Sequence, residues 1–272
     1  METLKRNITG EKFVSLEAVN NDLQTLPAGF LTDISNIQEI WLVKSNISKI
    51  TPGAFKNLSY VSLSLNENKI KKIESGVFTN LTEIFSISLS KNLIDFIHGD
   101  AFTNMSNLRE ITLSHNRLKS WNSSWFIGTQ LLYLDVSHNS IETLPNASFK
   151  FAKIHGRNIH KINLKYNRIK SLQSDTFLDL PMVNNLYFSN NKISTVNENI
   201  LKYTNTSYFD LSGNQIECLP KKLENVLKAR CTSLKDNPFN CSCYTTMIKW
   251  QQENGKCVYQ NFNKYCASDE IQ

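Results

Sequence analysis

Glycine is scarce, with nine in 272 residues, and none forms a glycine-rich loop of the kind that cradles phosphate groups. G-x-S-x-G and H-E-x-x-H are both missing, so the chain has neither a nucleophile elbow nor a helical zinc-hydrolase motif. These absences predict a protein that is not an enzyme and needs no cofactor. No apolar run approaches the length of a transmembrane helix, which excludes membrane insertion by this chain. The opening METLKRNITG has no apolar core of a signal peptide. The segment therefore reads as a mature or recombinant soluble ectodomain. There is no linker, low-complexity run or block of like charge. The net charge of +6 is modest and reads as spread out, which gives no reason to expect nucleic acid or a membrane surface as a partner.

What is present is a pattern. Apolar-x-x-apolar-x-apolar-x-x-Asn-x-apolar recurs ten times, almost always 23 or 24 residues apart. LREITLSHNRL (Leu108 to Leu118), LLYLDVSHNSI (Leu131 to Ile141) and IHKINLKYNRI (Ile159 to Ile169) are clear copies. Self-similarity at this period is the signature of a leucine-rich-repeat solenoid, an α/β repeat fold. The expected form is a horseshoe with a parallel sheet on its concave side and an irregular convex side. The ninth position carries Asn21, Asn68, Asn92, Asn116, Asn139, Asn167, Asn191, Asn214 and Asn237, with Ser45 in the second copy. An amide both donates and accepts, so a stack of them can satisfy backbone groups where each strand turns away.

Positions 1, 4, 6 and 11 point inward, as in Leu108, Ile111, Leu113 and Leu118. Phe55, Phe78, Phe102, Phe126, Phe149 and Phe177 follow at repeat spacing and predict a spine of rings on the convex side. One coil cannot bury its apolar face alone, so the stack is the folding unit. The expected organisation is an N-terminal flank over 1–12, about ten repeats over 13–236 and a C-terminal cysteine cap over 237–272. The interval from Asn139 to Asn167 is longer, and the extra residues near His155 and Arg157 read as a convex bulge.

Six cysteines cluster late in the chain: Cys218, Cys231, Cys241, Cys243, Cys257 and Cys266. A C-x-C pair could hold a metal, but no histidine follows at a suitable spacing, and an even count argues for disulfides in an oxidising compartment. His115 and His138 share position 8 of neighbouring copies, roughly one strand spacing of about 5 Å apart. "SHN" is an ordinary way to finish this repeat, so no metal site is expected. N-x-S/T sequons at Asn7, Asn46, Asn57, Asn80, Asn104, Asn122, Asn146 and Asn205 are glycosylation candidates, with a further one at Asn240. Asn57, Asn80 and Asn104 share one convex position. Glycans there would leave the concave sheet bare, while the plainer explanation is that asparagine is common in that turn.

NPFNCSC, the segment YTTMIKWQQENGKC behind it and the later Cys266 resemble the C-terminal cysteine cap of extracellular leucine-rich-repeat proteins. Toll-like receptor ectodomains, Slit-type guidance proteins and secreted insect immune proteins are of this kind. LEAVNNDLQTLPAGFL followed by WLVKSNISKI looks most like the arthropod members. The resemblance covers roughly Phe13 to Cys266. It implies a secreted protein or one on the outer side of the plasma membrane. It also implies two cap bridges, Cys241 to Cys257 and Cys243 to Cys266. Cys218 and Cys231 are left as a third bridge or as free thiols.

Positions 3, 5 and 7 face outward from the sheet, with 8 at its edge. Ser62, Ser64, Asn66, Ser86, Ser88 and Ser90 make a small polar stretch. Later copies present Tyr133, Asp135, His138, Lys161, Asn163, Lys165, Tyr166, Tyr187, Tyr208 and Asp210, and tyrosine is enriched in binding hot spots. Packing of aromatics on the sheet itself would also account for them. Trp41, beside Glu39, is a separate exposed aromatic. The expected function is recognition of a protein or microbial ligand in innate immunity, through the concave face. The alternative is adhesion, guidance or matrix binding. Other surfaces are the bulge, and the lateral edge or cap, where a dimer would form.

Overall fold

The computed structural model describes residues 5–9, 13–34, 37–59, 61–154, 158–261 and 266. It is a parallel-sheet solenoid in two compact units, residues 1–139 and 140–272. His155 and Arg157, the centre of the expected bulge, lie outside the described residues.

In the first unit, β1 (Lys5–Thr9) pairs antiparallel with β2 (Phe13–Glu17). Then come the parallel strands β3 (Glu39–Trp41), β4 (Ser62–Ser64), β5 (Ser86–Ser88), β6 (Glu110–Thr112) and β7 (Tyr133–Asp135). Their registers align Leu16, Ile40, Leu63, Ile87, Ile111 and Leu134 in one row. All six are buried. Each contributes roughly 1.5–3 kcal/mol of apolar burial that no single coil could obtain alone.

The second unit holds β8 (Ile159–Asn163), β9 (Met182–Tyr187), β10 (Asn205–Asp210), β11 (Cys231–Ser233) and β12 (Cys257–Tyr259). All are parallel, with Ile162, Leu186, Phe209, Thr232 and Val258 in one row. A helix, α1 (Cys241–Asn254), precedes β12. It starts at Asn240, whose side chain accepts from the Cys243 N–H at 2.9 Å, and it stops at Gly255 in the left-handed conformation. The chain after the last Asn therefore adds one more coil to the sheet.

The asparagine row works as a set of clips between coils. Asn116 Oδ1 accepts from the Ile94 N–H at 2.9 Å, while its Nδ2 donates to the Leu89 and Leu113 carbonyls. Asn191 and Asn214 do the same in the second unit. Ser45 keeps part of this function, donating to the Ala18 carbonyl at 2.6 Å. The phenyl spine is present as well. Phe55, Phe78, Phe102 and Phe126 stack at 5.6–5.8 Å between neighbouring centroids, and Phe149 lies 5.6 Å from Phe177.

Position 8 has a conformational requirement that the periodicity does not reveal. Its ten residues all have φ between 52° and 63°: Asn20, Lys44, Glu67, Lys91, His115, His138, Tyr166, Asn190, Gly213 and Asp236. At Gly213 a Cβ would come within 2.8 Å of Asn190 Oδ1, so glycine fits there for lack of space as well. Asn57, Asn80 and Asn104 are left-handed too. Asparagine tolerates that conformation better than most residues, which accounts for its recurrence in the turn without glycans.

The cap bridges differ from those implied by the family resemblance. The disulfides are Cys218–Cys243, Cys231–Cys257 and Cys241–Cys266, with Cα–Cα distances of 5.2, 4.5 and 5.0 Å. Neither Cys241–Cys257 nor Cys243–Cys266 forms, and Cys218 and Cys231 are not a pair. Each bridge spans 25 or 26 residues, about one coil. Stacking brings together residues one repeat apart, and those are the cysteines that meet.

Candidate recognition surface

Most of the polar stretch on the first unit is bonded within itself. Ser88 Oγ donates to Asn66 Oδ1 at 2.7 Å and lies 2.8 Å from Thr112 Oγ1. Ser90 Oγ meets the same threonine at 2.8 Å and receives a bond from Ser114 Oγ at 2.9 Å. The Ser64 hydroxyl is buried without a partner. Toward the start of the unit, Trp41 is 42% exposed and its indole N–H donates to Glu39 at 3.1 Å. Tyr133 and His138 are exposed, and Asp135 accepts from Ser137. The His115 and His138 rings stack at 4.0 Å with 10° between planes. Burial, then the charge of His115, hold the His138 imidazole below its ordinary pKa, against the opposing pull of Asp135. Among the described residues no three His, Cys, Asp or Glu gather as a ligand set for a metal ion.

The second unit brings several of the expected residues into one cluster. Lys165 Nζ lies 3.1 Å from Asp210 Oδ2 and 4.4 Å from the Tyr187 ring centroid. Lys161 Nζ approaches the same ring at 5.8 Å, and Tyr187 meets Tyr208 edge to face at 5.8 Å. Tyr208 also bonds Ser233, and burial, then Asp210, raise its phenol above the usual range. Cation–π and edge-to-face contacts of this kind are each worth roughly 0.5–1.5 kcal/mol, so the lysines and rings are held in place before anything binds.

Two expected contact residues do not reach the surface. Asp210 is 4% exposed and Asn163 8%. Asp210 anchors Lys165 and accepts from Ser212, while Asn163 accepts from the Lys165 backbone N–H. Both side chains are engaged by neighbours within the sheet. Tyr166, at position 8, is exposed at the sheet's edge.

The cluster also continues further than its sequence signature. Lys235 and Tyr259 repeat the geometry of Lys165 and Tyr187, a lysine at position 7 beneath a tyrosine at position 5 of the next coil, at 5.7 Å. The Cys231–Cys257 bridge lies at position 3 of the same two coils, in register with Tyr208. Extending the register one coil past Asn237 would have revealed both.

The charge is not spread evenly either. Residues 1–139 contain 13 basic and 13 acidic residues, whereas 140–272 contain 17 and 11. The excess of +6 belongs to the second unit.

The sequons lie at several kinds of position. Asn57, Asn80, Asn104, Asn122, Asn146 and Asn205 are exposed. Asn46 donates to Asp22 at 2.6 Å, Asn57 donates to Asp33 at 2.7 Å, and Asn240 caps α1. Asn7 falls in β1.

A family model described as leucine rich repeat matches residues 59–118, 106–154 and 157–219, more than half of the chain. The chain belongs to that family, as an extracellular-type member with a disulfide-bonded C-terminal end. It is 24% identical over 110 residues to CD180 antigen of Mus musculus, covering 40% of this chain and 17% of that protein. It is 26% identical over 249 residues to lumican of Gallus gallus, covering 89% and 62%. The chain thus spans a small part of the first relative and under two thirds of the second. A crystal structure of the mouse RP105/MD-1 complex matches with a TM-score of 0.66 at 20% identity, covering 86% of this chain and 40% of that one. A TLR13–ssRNA13 complex matches at 0.64 and 20%, covering 75% and 29%. At such identities the structures show the fold alone.

Proposed function

We propose that this chain is a secreted or cell-surface recognition module that binds a protein or microbial ligand, and that the sheet face of its second unit is the contact surface. The observation that carries this reading is the preorganised cluster of Lys161, Lys165, Tyr187 and Tyr208, set against a serine surface with little left to offer. Three disulfides support an extracellular setting. Resemblance to Toll-like receptor ectodomains favours a role in innate immunity. The length of the match to lumican keeps a matrix or adhesion role as the second reading.

The test is affinity for a natural protein ligand, measured with Tyr187→Ala and Lys161→Ala. Truncating a hot-spot tyrosine costs about 2 kcal/mol, roughly a thirtyfold loss. Ser64→Ala is the control, since its hydroxyl has no partner to lose. Lys165→Ala is less clean, because it leaves the buried Asp210 carboxylate without its cation. Wild-type binding by both variants, with loss on changes to α1 or the sheet edge, would refute the assignment.

A further inference from the structure

On the second unit's sheet face the exposed charges share one sign. Lys161, Lys165 and Lys235 stand in the outward rows, and the one carboxylate in those rows among the described residues is Asp210, which is buried and held by Lys165. Asp236, beside Lys235 at the edge, is engaged by the Asn261 side chain at 2.5 Å. The outward rows of β2 to β7 contain no lysine or arginine among the described residues. The whole excess of positive charge lies in the second unit, so the long-range field and the local surface agree.

We propose that this face binds an extended, acidic segment of a partner protein. The proposal rests on the reading of the face as a partner site and adds the chemistry of what it takes. One carboxylate would meet the Lys161 end, another the Lys235 end, with uncharged residues lying over Tyr187 and Tyr208. From β8 to β11 is three strand spacings, about 15 Å. Lys235 stands four residues further along its coil than Cys231, the residue in register with Lys161. That adds about 13 Å along the strand, so the two lysines are about 20 Å apart. An extended peptide covers that distance in about six residues, so the two acidic positions are about six apart. Nucleic acid fits less well. It presents a charge at every nucleotide, and proteins that grip it make many cationic contacts. Here there are three lysines and no arginine, and one lysine is already paired.

The experiment uses the full chain and a fluorescein-labelled peptide with paired glutamates at each end of an uncharged middle of about five residues. Anisotropy gives the affinity. Binding should weaken on the order of tenfold between about 50 and about 300 mM salt. The double variant Lys161→Gln/Lys235→Gln should weaken it about tenfold, and Lys161→Arg/Lys235→Arg should retain it. Lys192→Gln/Lys249→Gln removes the same charge from exposed sites off the sheet and should change it less than about twofold. Equal loss in both glutamine pairs would mean a non-specific field and overturn the proposal. Tighter binding of a single-stranded oligonucleotide or heparin through the same lysines would overturn it too. So would self-association abolished by Glu39→Lys, which would make a second copy the occupant. If the peptide fails to bind while Tyr187→Ala still weakens a natural protein ligand, the acidic-segment proposal falls and the partner surface stands.

Discussion

The sheet face of β4 to β6 and that of β8 to β11 are built by the same coil, with mostly apolar residues inward and an asparagine clip at each turn. Outward they diverge. Ser88, Ser90, Thr112 and Ser114 donate to and accept from one another, so a partner would have to displace existing bonds to gain new ones. Lys161, Lys165, Tyr187 and Tyr208 are also mutually supported, but through ring faces and ammonium groups. Those contacts leave large apolar area and unspent charge. The comparison teaches that the repeat dictates where a side chain points, while residue type at the same position decides whether the surface presents bonded hydroxyls or rings and ammonium groups.

The largest effect tests the shared half of the comparison. Leu134→Asp in the first unit and Leu186→Asp in the second put a carboxylate at sites 1% and 0% exposed. Each should cost several kcal/mol, on the order of a domain's whole stability, and secreted yield should collapse for both. Normal yield from either would break the equivalence of the two cores.

A smaller effect separates the units by their covalent chemistry. The first 139 residues have no cysteine, whereas the second unit holds three bridges. Each bridge closes a loop worth about 3 kcal/mol in the chain-entropy model. Reduction should therefore direct limited proteolysis into residues beyond 140 first. Non-reducing peptide maps should join Cys218 to Cys243, Cys231 to Cys257 and Cys241 to Cys266. A Cys241–Cys257 crosslink, or first cuts in the first unit, would contradict the account.

The smallest effect concerns His138. Its folded pKa lies below its unfolded one, so the unfolded chain binds the proton more readily. That stability is fully present above the unfolded pKa and is lost as pH falls through the folded pKa. Thermal scans from pH 8 to 5 should show a slightly steeper acid loss for the parent than for His138→Asn, which keeps a residue suited to the left-handed backbone. A steeper loss in the variant would reverse the sign.

The period made the inward rows, the asparagine clips and the phenyl spine legible, because each depends on residues one repeat apart being neighbours. The same rule, applied to cysteines at 25 or 26 residues, gives the pairing that the family resemblance missed. Legibility ended where one position serves two purposes. Asn163 and Asp210 sit in outward rows but are buried, Asp210 paired with Lys165 and Asn163 bonded to the Lys165 backbone N–H, which spacing cannot show. His115 and His138 look chemically suggestive in sequence, yet their position is held by all ten copies in a left-handed turn. Lys235 and Tyr259 were hidden because the Asn pattern stops at Asn237 while the sheet does not.

Hydroxyl-radical footprinting of the chain, free and with a bound protein partner, tests the central claim most directly. It reads aromatic side chains on both units at once: Trp41 on the first, Tyr187 and Tyr208 on the second. The account predicts that Tyr187 and Tyr208 become protected while Trp41 reacts as before. Protection of Trp41 with unchanged Tyr187 and Tyr208 would place the partner on the first unit and contradict it.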